Sequence, residues 1–141
     1  MSLAGVIARG QRAAEAQMTD SFTAYAPGTP TVVNGLKVLN PVSQGSTRGR
    51  IAATSQQGAD TPTRTFTVGD VKRPVLEGGL HIPISAPVPR AGDRGVGWEY
   101  LCTAVGAGTD PSLVGRRYLV VGVPAKSHAT ARRLDVVEVP W

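Results

Sequence analysis

Apolar positions fall into short β-rich runs separated by glycine, proline and Asx turns along most of the chain. Ser21–Tyr25, Thr65–Val68, His81–Ser85, Trp98–Val105, Arg117–Val123 and Leu134–Val139 each read as strands, being brief and rich in β-branched or aromatic residues. Thr31–Leu39 reads as another, turned at Asn34-Gly35, the strongest short-range hairpin signal. Pro83, Pro87 and Pro89 mark an edge strand and its exit, because proline cannot donate to a sheet ladder. The start of the chain has a different period. Ser2 is a suitable N-cap, and Leu3, Val6, Ile7, Ala13, Ala14 and Met18 recur on one helical face. Gly5 and Gly10 weaken that helix by roughly 1 kcal/mol each relative to alanine, so it needs a surface to pack on. That surface is either its own barrel or a neighbouring subunit.

Between Ser43 and Thr63 the pattern dissolves into Gly, Ser, Gln and Thr with few apolar anchors. Such a segment buries too little to offset its ordering entropy, which predicts a long, flexible, functional loop. The expected fold is mainly β: a small antiparallel β-barrel or sandwich with an N-terminal α-helix. The helix occupies residues 1–20, and a single β-barrel domain occupies 21–141, with a mobile loop at about 43–63.

Composition sharpens this picture. A chain of 141 residues is long enough for one core. Its 17 glycines and 11 prolines exceed the roughly 12% of average usage, favouring many strands and turns over a helical bundle. With 5% aromatic residues, the core must be built mainly from Val, Leu, Ile and Ala. The net charge of +5 is spread along the chain, whereas nucleic-acid binders usually concentrate it on one face. The single cysteine excludes an internal disulfide and a cysteine-based metal framework. Cys102 lies on one strand face with Trp98 and Tyr100, either as a small buried hydrophobe or as a reactive thiol. No signal peptide or membrane-spanning run is visible, which predicts a soluble protein made in a reducing cytoplasm.

Catalytic chemistry is sparse. His81 and His128 are isolated from other metal-ligand residues. Ser127 and His128 are neighbours, but adjacent strand residues point to opposite faces, and no nucleophile elbow surrounds them. Gly106-Ala107-Gly108 reads as a hairpin turn, because the rest of a phosphate-binding loop is missing. We therefore expect no enzyme, no cofactor and no metal site. The notable charges are the pairs Arg116-Arg117 and Arg132-Arg133, each of which places one guanidinium on either face of a strand. They serve as solvated surface near Asp110 or Asp135, as intersubunit ion pairs, or as contacts to DNA. Trp141, after Pro140, is either a lid on the core or an exposed anchor.

Three segments carry a resemblance. Asp110-Pro111-Ser112-Leu113-Val114-Gly115-Arg116-Arg117-Tyr118-Leu119-Val120-Val121-Gly122-Val123 leads, through Ser127–Val139, to a strand–turn–strand ending. An Ala/Arg-rich helix runs into Met18-Thr19-Asp20-Ser21-Phe22-Thr23, and Ala91-Gly92-Asp93-Arg94 forms a Gly-Asp turn ahead of a strand. In this order they resemble the head–tail connector proteins of long-tailed actinobacterial bacteriophages and prophages, of the head-closure or stopper type. The resemblance covers roughly half the chain.

It implies a structural virion protein at the neck, made in the host cytoplasm, that closes the DNA-filled head and offers the tail its attachment surface. It further implies a homo-oligomeric ring, hexameric in preference to dodecameric. The implied partners are an adaptor on the portal side, a tail terminator or tail tube on the other, and genomic DNA in the channel, with no membrane. On this reading the 43–63 loop blocks the channel, Arg48, Arg50 and Arg64 face DNA, and Arg116, Arg117, Arg132, Arg133, Asp110 and Trp141 meet neighbouring subunits. The rivals are a tail terminator or other neck protein, and a small β-barrel nucleic-acid-binding module suggested by a pI near 10.0. The latter lacks an evident aromatic stacking platform.

Overall fold

Ser2 accepts the Gly5 N–H at 3.1 Å and opens helix α1, Leu3–Ala16, as its capping chemistry predicts. The structure is a computed structural model and describes residues 2–52, 64–124 and 130–140. No residue of α1 is fully buried, and Leu3 and Val6 are 60% and 51% exposed. Of the apolar face expected on this helix, Ile7 and Ala14 are half-buried, and Met18, just beyond its end, is buried. Gly10 lies against Thr130, where a Cβ would stand 2.6 Å from the threonine methyl. The helix therefore rests on the barrel by one edge and leaves another edge open.

Six strands close the barrel. They are β1 (Asp20–Ala26), β4 (Val42–Ile51), β7 (Leu76–Ile82), β10 (Arg132–Val139), β9 (Arg117–Gly122) and β8 (Glu99–Ala104), arranged β1-β4-β7-β10-β9-β8. Every pairing is antiparallel. Two hairpins stand apart from the barrel: β2 (Thr31–Val33) with β3 (Leu36–Val38), and β5 (Thr65–Val68) with β6 (Val71–Pro74).

Alternation fills the barrel. Phe22, Leu80, Ile82, Tyr100, Cys102, Tyr118, Val120, Leu134 and Val136 form one buried cluster. Burial pushes the Tyr100 and Tyr118 hydroxyls up to about 12. A second cluster, Val68, Val75, Leu119, Val137 and Val139, lies outside the wall, where the β5–β6 hairpin helps cover it. The outer face of β9 and β10 is thus buried too, which explains why Tyr118–Val121 and Val136–Val139 are apolar almost without a break.

The structure corrects the expected 43–63 loop. Its first half is the strand β4, paired with β1 from Asp20↔Gly49 to Ala26↔Val42. Its side chains are exposed almost throughout, so the strand carries no hydrophobic alternation, and its ladder hydrogen bonds hold it in place. Gly49 is required there, since a Cβ would meet Phe22 Cδ2 at 2.9 Å and the His81 carbonyl oxygen at 3.0 Å. The rest of that loop, 53–63, lies outside the described residues. The strand expected at His81–Ser85 instead spans Leu76–Ile82 and stops at Pro83, whose carbonyl accepts the Ala86 N–H at 3.0 Å.

Candidate functional site

The β2–β3 hairpin is the most unusual surface of the molecule. Asn34 and Gly35 have φ of +51° and +77°, the two successive left-handed residues that a type I′ turn requires. Beyond that turn the hairpin has only three residues per strand. It exposes Val32 at 74%, Leu36 at 71% and Val33 at 53%. An isolated two-stranded hairpin is marginal in water, and the register sets Val33 beside Leu36 on one face and Val32 beside Lys37 on the other, so both faces of the projection are open to a contact.

The root of this hairpin is firm. Asn40 Nδ2 donates to the Thr29 carbonyl at 2.9 Å and to Thr31 Oγ1 at 3.2 Å. Gly28 packs so tightly that a Cβ would lie 1.9 Å from the Asn40 carbonyl oxygen. The tip is therefore offered to solvent on a fixed stalk. The open edge of α1, with Leu3 and Val6, adds a second exposed apolar strip.

At the foot of the stalk lies a cluster of charges. Glu99 on β8 is 8% exposed, and its Oε1 accepts from Arg94 Nη2 at 3.3 Å and Arg117 Nη1 at 3.4 Å. The Arg117 guanidinium also stacks over the Tyr25 ring at 5.3 Å. Arg94 Nη2 reaches the Pro140 carbonyl at 2.6 Å. The sequence drew attention to the Gly92-Asp93-Arg94 turn and to Arg117 separately. Their convergence on Glu99 was missed, because Glu99 alternates with the core residues Tyr100 and Cys102 and so reads as solvated.

The other sequence-selected residues are dispersed. Arg48 is exposed on β4. Arg50 Nη1 donates to Gln17 Oε1 at 2.7 Å, tying β4 to the end of the helix. Arg64 pairs with Asp135 at 3.4 Å and Glu77 at 3.8 Å. Arg116 meets Glu138 at 3.5 Å, and its Nε donates to the Ser112 carbonyl at 3.1 Å. Asp110 caps the 3-10 turn Pro111–Leu113 by accepting the Ser112 N–H at 2.9 Å, and that bond holds its carboxyl below the usual range. Arg132 is half-buried, with an Nε that finds no partner among the described residues, and Arg133 is exposed. Trp141, Ser127 and His128 lie outside the described residues.

Among the described residues, no group of three or more His, Cys, Asp or Glu side chains is placed to hold a metal ion. Cys102 is buried, and desolvation followed by the Asp20 charge pushes its thiol up, away from the reactive thiolate. No described helix is long and apolar enough to cross a membrane.

Residues 10–137 match a family described as "Family of unknown function (DUF6093)", and the chain belongs to that family. No curated protein matches the chain, and no solved structure matches it.

Proposed function

We propose that this DUF6093 chain is a structural subunit of a phage neck, a head-to-tail connector of the stopper type that assembles as a ring. The observation that carries the reading is the apolar β2–β3 hairpin, held out from a closed barrel on a locked root. A barrel that has already paired its strands has no need of this arm for its own stability, whereas an assembly subunit needs a rigid anchor for its neighbour. The half-docked helix supplies a second strip for the same purpose. The connector resemblance in Asp110–Val123 and Met18–Thr23 supports a place for the assembly in the virion neck. The ring carries an adaptor on the head side and the tail on the other, and a hexamer fits a tail best.

The nucleic-acid-module reading is weaker. Phe22, Tyr100 and Tyr118 are consumed by the core, and Tyr25 lies beneath Arg117, so these rings offer no open stacking platform. The test is electron microscopy of lysates from the parent phage with this gene deleted. Separate tails beside tailless, emptied heads are expected. Normal virions would overturn the connector reading, and filled heads with aberrantly long tails would move the chain to the tail terminator.

A further inference from the structure

Three of the dispersed arginines share one patch of the outer barrel wall. The register sets Arg50 of β4 beside His81 of β7, and His81 beside Arg133 of β10. Their chain neighbours Gly49, Leu80, Ile82 and Leu134 are buried, so these three side chains point outward. Arg48, two positions before Arg50, shares that face, and all three arginines are exposed. Neither the Arg48 nor the Arg133 guanidinium has a partner among the described residues, and Arg50 holds the neutral Gln17 amide. The carboxylates of the neighbouring strands are engaged elsewhere. Asp20 is buried and accepts the Gly106 N–H, Asp135 holds the Gly78 N–H and Arg64, and Glu138 pairs with Arg116. Burial first, then Arg133 and more weakly Arg50, lower the pKa of His81, and no carboxylate opposes them. The row is therefore a patch of uncompensated positive charge.

From this row we infer that the outer wall at β4, β7 and β10 binds the phosphate backbone of duplex DNA without reading its bases. Guanidinium groups suit phosphate oxygens by charge and by their paired donors. Strand geometry puts Arg48 and Arg50 about 6.6 Å apart at Cα, and Arg133 about 10 Å from Arg50, so the three long side chains can meet separate phosphates. Ser21 lies opposite Arg48, and Ser46 precedes it by two positions, adding the hydroxyl donors that phosphate contacts also use. A protein interface needs an apolar anchor, and a single strand needs a stacking ring; the outward positions of this row supply neither. Arg64 is not part of the surface, because its charge is spent on Asp135 and Glu77. This inference does not depend on the connector reading, since the row is complete within one chain.

The test is fluorescence anisotropy of a short labelled DNA duplex titrated with the full chain at several salt concentrations. Three phosphate contacts predict a slope of log affinity against log salt of about −2.7, or about fortyfold weaker binding at 200 than at 50 mM salt. The triple variant Arg48→Gln, Arg50→Gln, Arg133→Gln should bind at least about tenfold more weakly at low salt, with a slope near zero. Lys37→Gln, Lys72→Gln, Arg90→Gln removes the same charge from exposed positions outside the row and should keep most of the binding. In the unmutated ¹⁵N-labelled chain, the duplex should shift the Arg48, Arg50, His81 and Arg133 amides, whatever the stability of the variants. An equal loss in both triple variants would overturn the inference, since the attraction would then be net charge alone. So would absence of salt-dependent binding, amide shifts confined to other strands, or tighter binding of polyglutamate than of the duplex. Normal virions after deletion of the gene would sink the connector reading and leave this result untouched.

Discussion

Asp135 on β10 accepts a 2.7 Å hydrogen bond from the backbone N–H of Gly78 on β7. Asp135 is 8% exposed, and Gly78 has φ of +59°, so the bond fastens β7 to β10 at a point where the register shifts. Arg64 lies 3.4 Å away but is half exposed, so its ion pair adds little. Asp135→Ala should therefore destabilise the fold by about 2 kcal/mol, mostly through the orphaned N–H. Asp135→Asn keeps an acceptor and should cost less than half as much. Urea unfolding followed by circular dichroism measures both.

His81 stands between two arginines, opposite Arg50 on β4 and Arg133 on β10. Burial first, then the Arg133 charge, lowers its pKa from the ordinary 6.5, against a raising backbone bond to Gly78 and with a smaller lowering effect of Arg50. The unfolded chain thus takes up a proton before the folded one does. Stability from this group is constant above about pH 6.5, falls as pH drops from there through the lowered folded value, and then levels off. The difference in stability between the unmutated chain and His81→Gln, measured from pH 8 to pH 5, should narrow or reverse in favour of the variant as pH falls. A pH-independent difference would show that His81 titrates alike in both states.

Gly97 is buried where the 90–98 segment crosses β9. A Cβ there would lie 2.6 Å from the Gly92 carbonyl oxygen and 2.7 Å from that of Val120, both backbone atoms with no freedom to withdraw. Gly97→Ala should cost about 2–4 kcal/mol or prevent folding. Gly108 provides the contrast. Its φ is +84° but the space around it is open, so Gly108→Ala should cost about 1 kcal/mol. Thermal unfolding of the two variants separates steric from conformational cost.

Cys102 is 1% exposed inside the barrel, and its Sγ lies 3.7 Å from the Ala104 carbonyl. Labelling by an aromatic disulfide reagent should be at least about a thousandfold slower in the native protein than in denaturant, because only opened molecules react. Rapid native labelling would mean that the β8 side of the barrel opens locally.

The hairpin supplies a prediction that separates folding from assembly. Val32→Asp with Leu36→Asp touches side chains that the barrel does not use, so the melting temperature should change by no more than about 2 °C, as expected for surface changes. Phage carrying the double substitution should nonetheless accumulate unjoined heads and tails. Joined, infectious particles would remove the hairpin from the assembly surface.

Local chemistry determined much of this protein. Ser2 started the helix, Asn34-Gly35 turned the hairpin, Asp110-Pro111 capped the 3-10 turn, and alternation in Trp98–Val105 put Tyr100 and Cys102 in the core. Each is a signal carried by residues within a few positions of one another. The tertiary structure alone decided three things. It made Val42–Ile51 a strand, because β1 offered backbone partners to a sequence with no alternation of its own. It buried both faces of β9 and β10 by bringing up β5–β6 from some fifty residues away. It also gathered Arg94, Glu99 and Arg117 beneath the hairpin, since a strand pattern gives each side chain a face but cannot say which distant charge will share it.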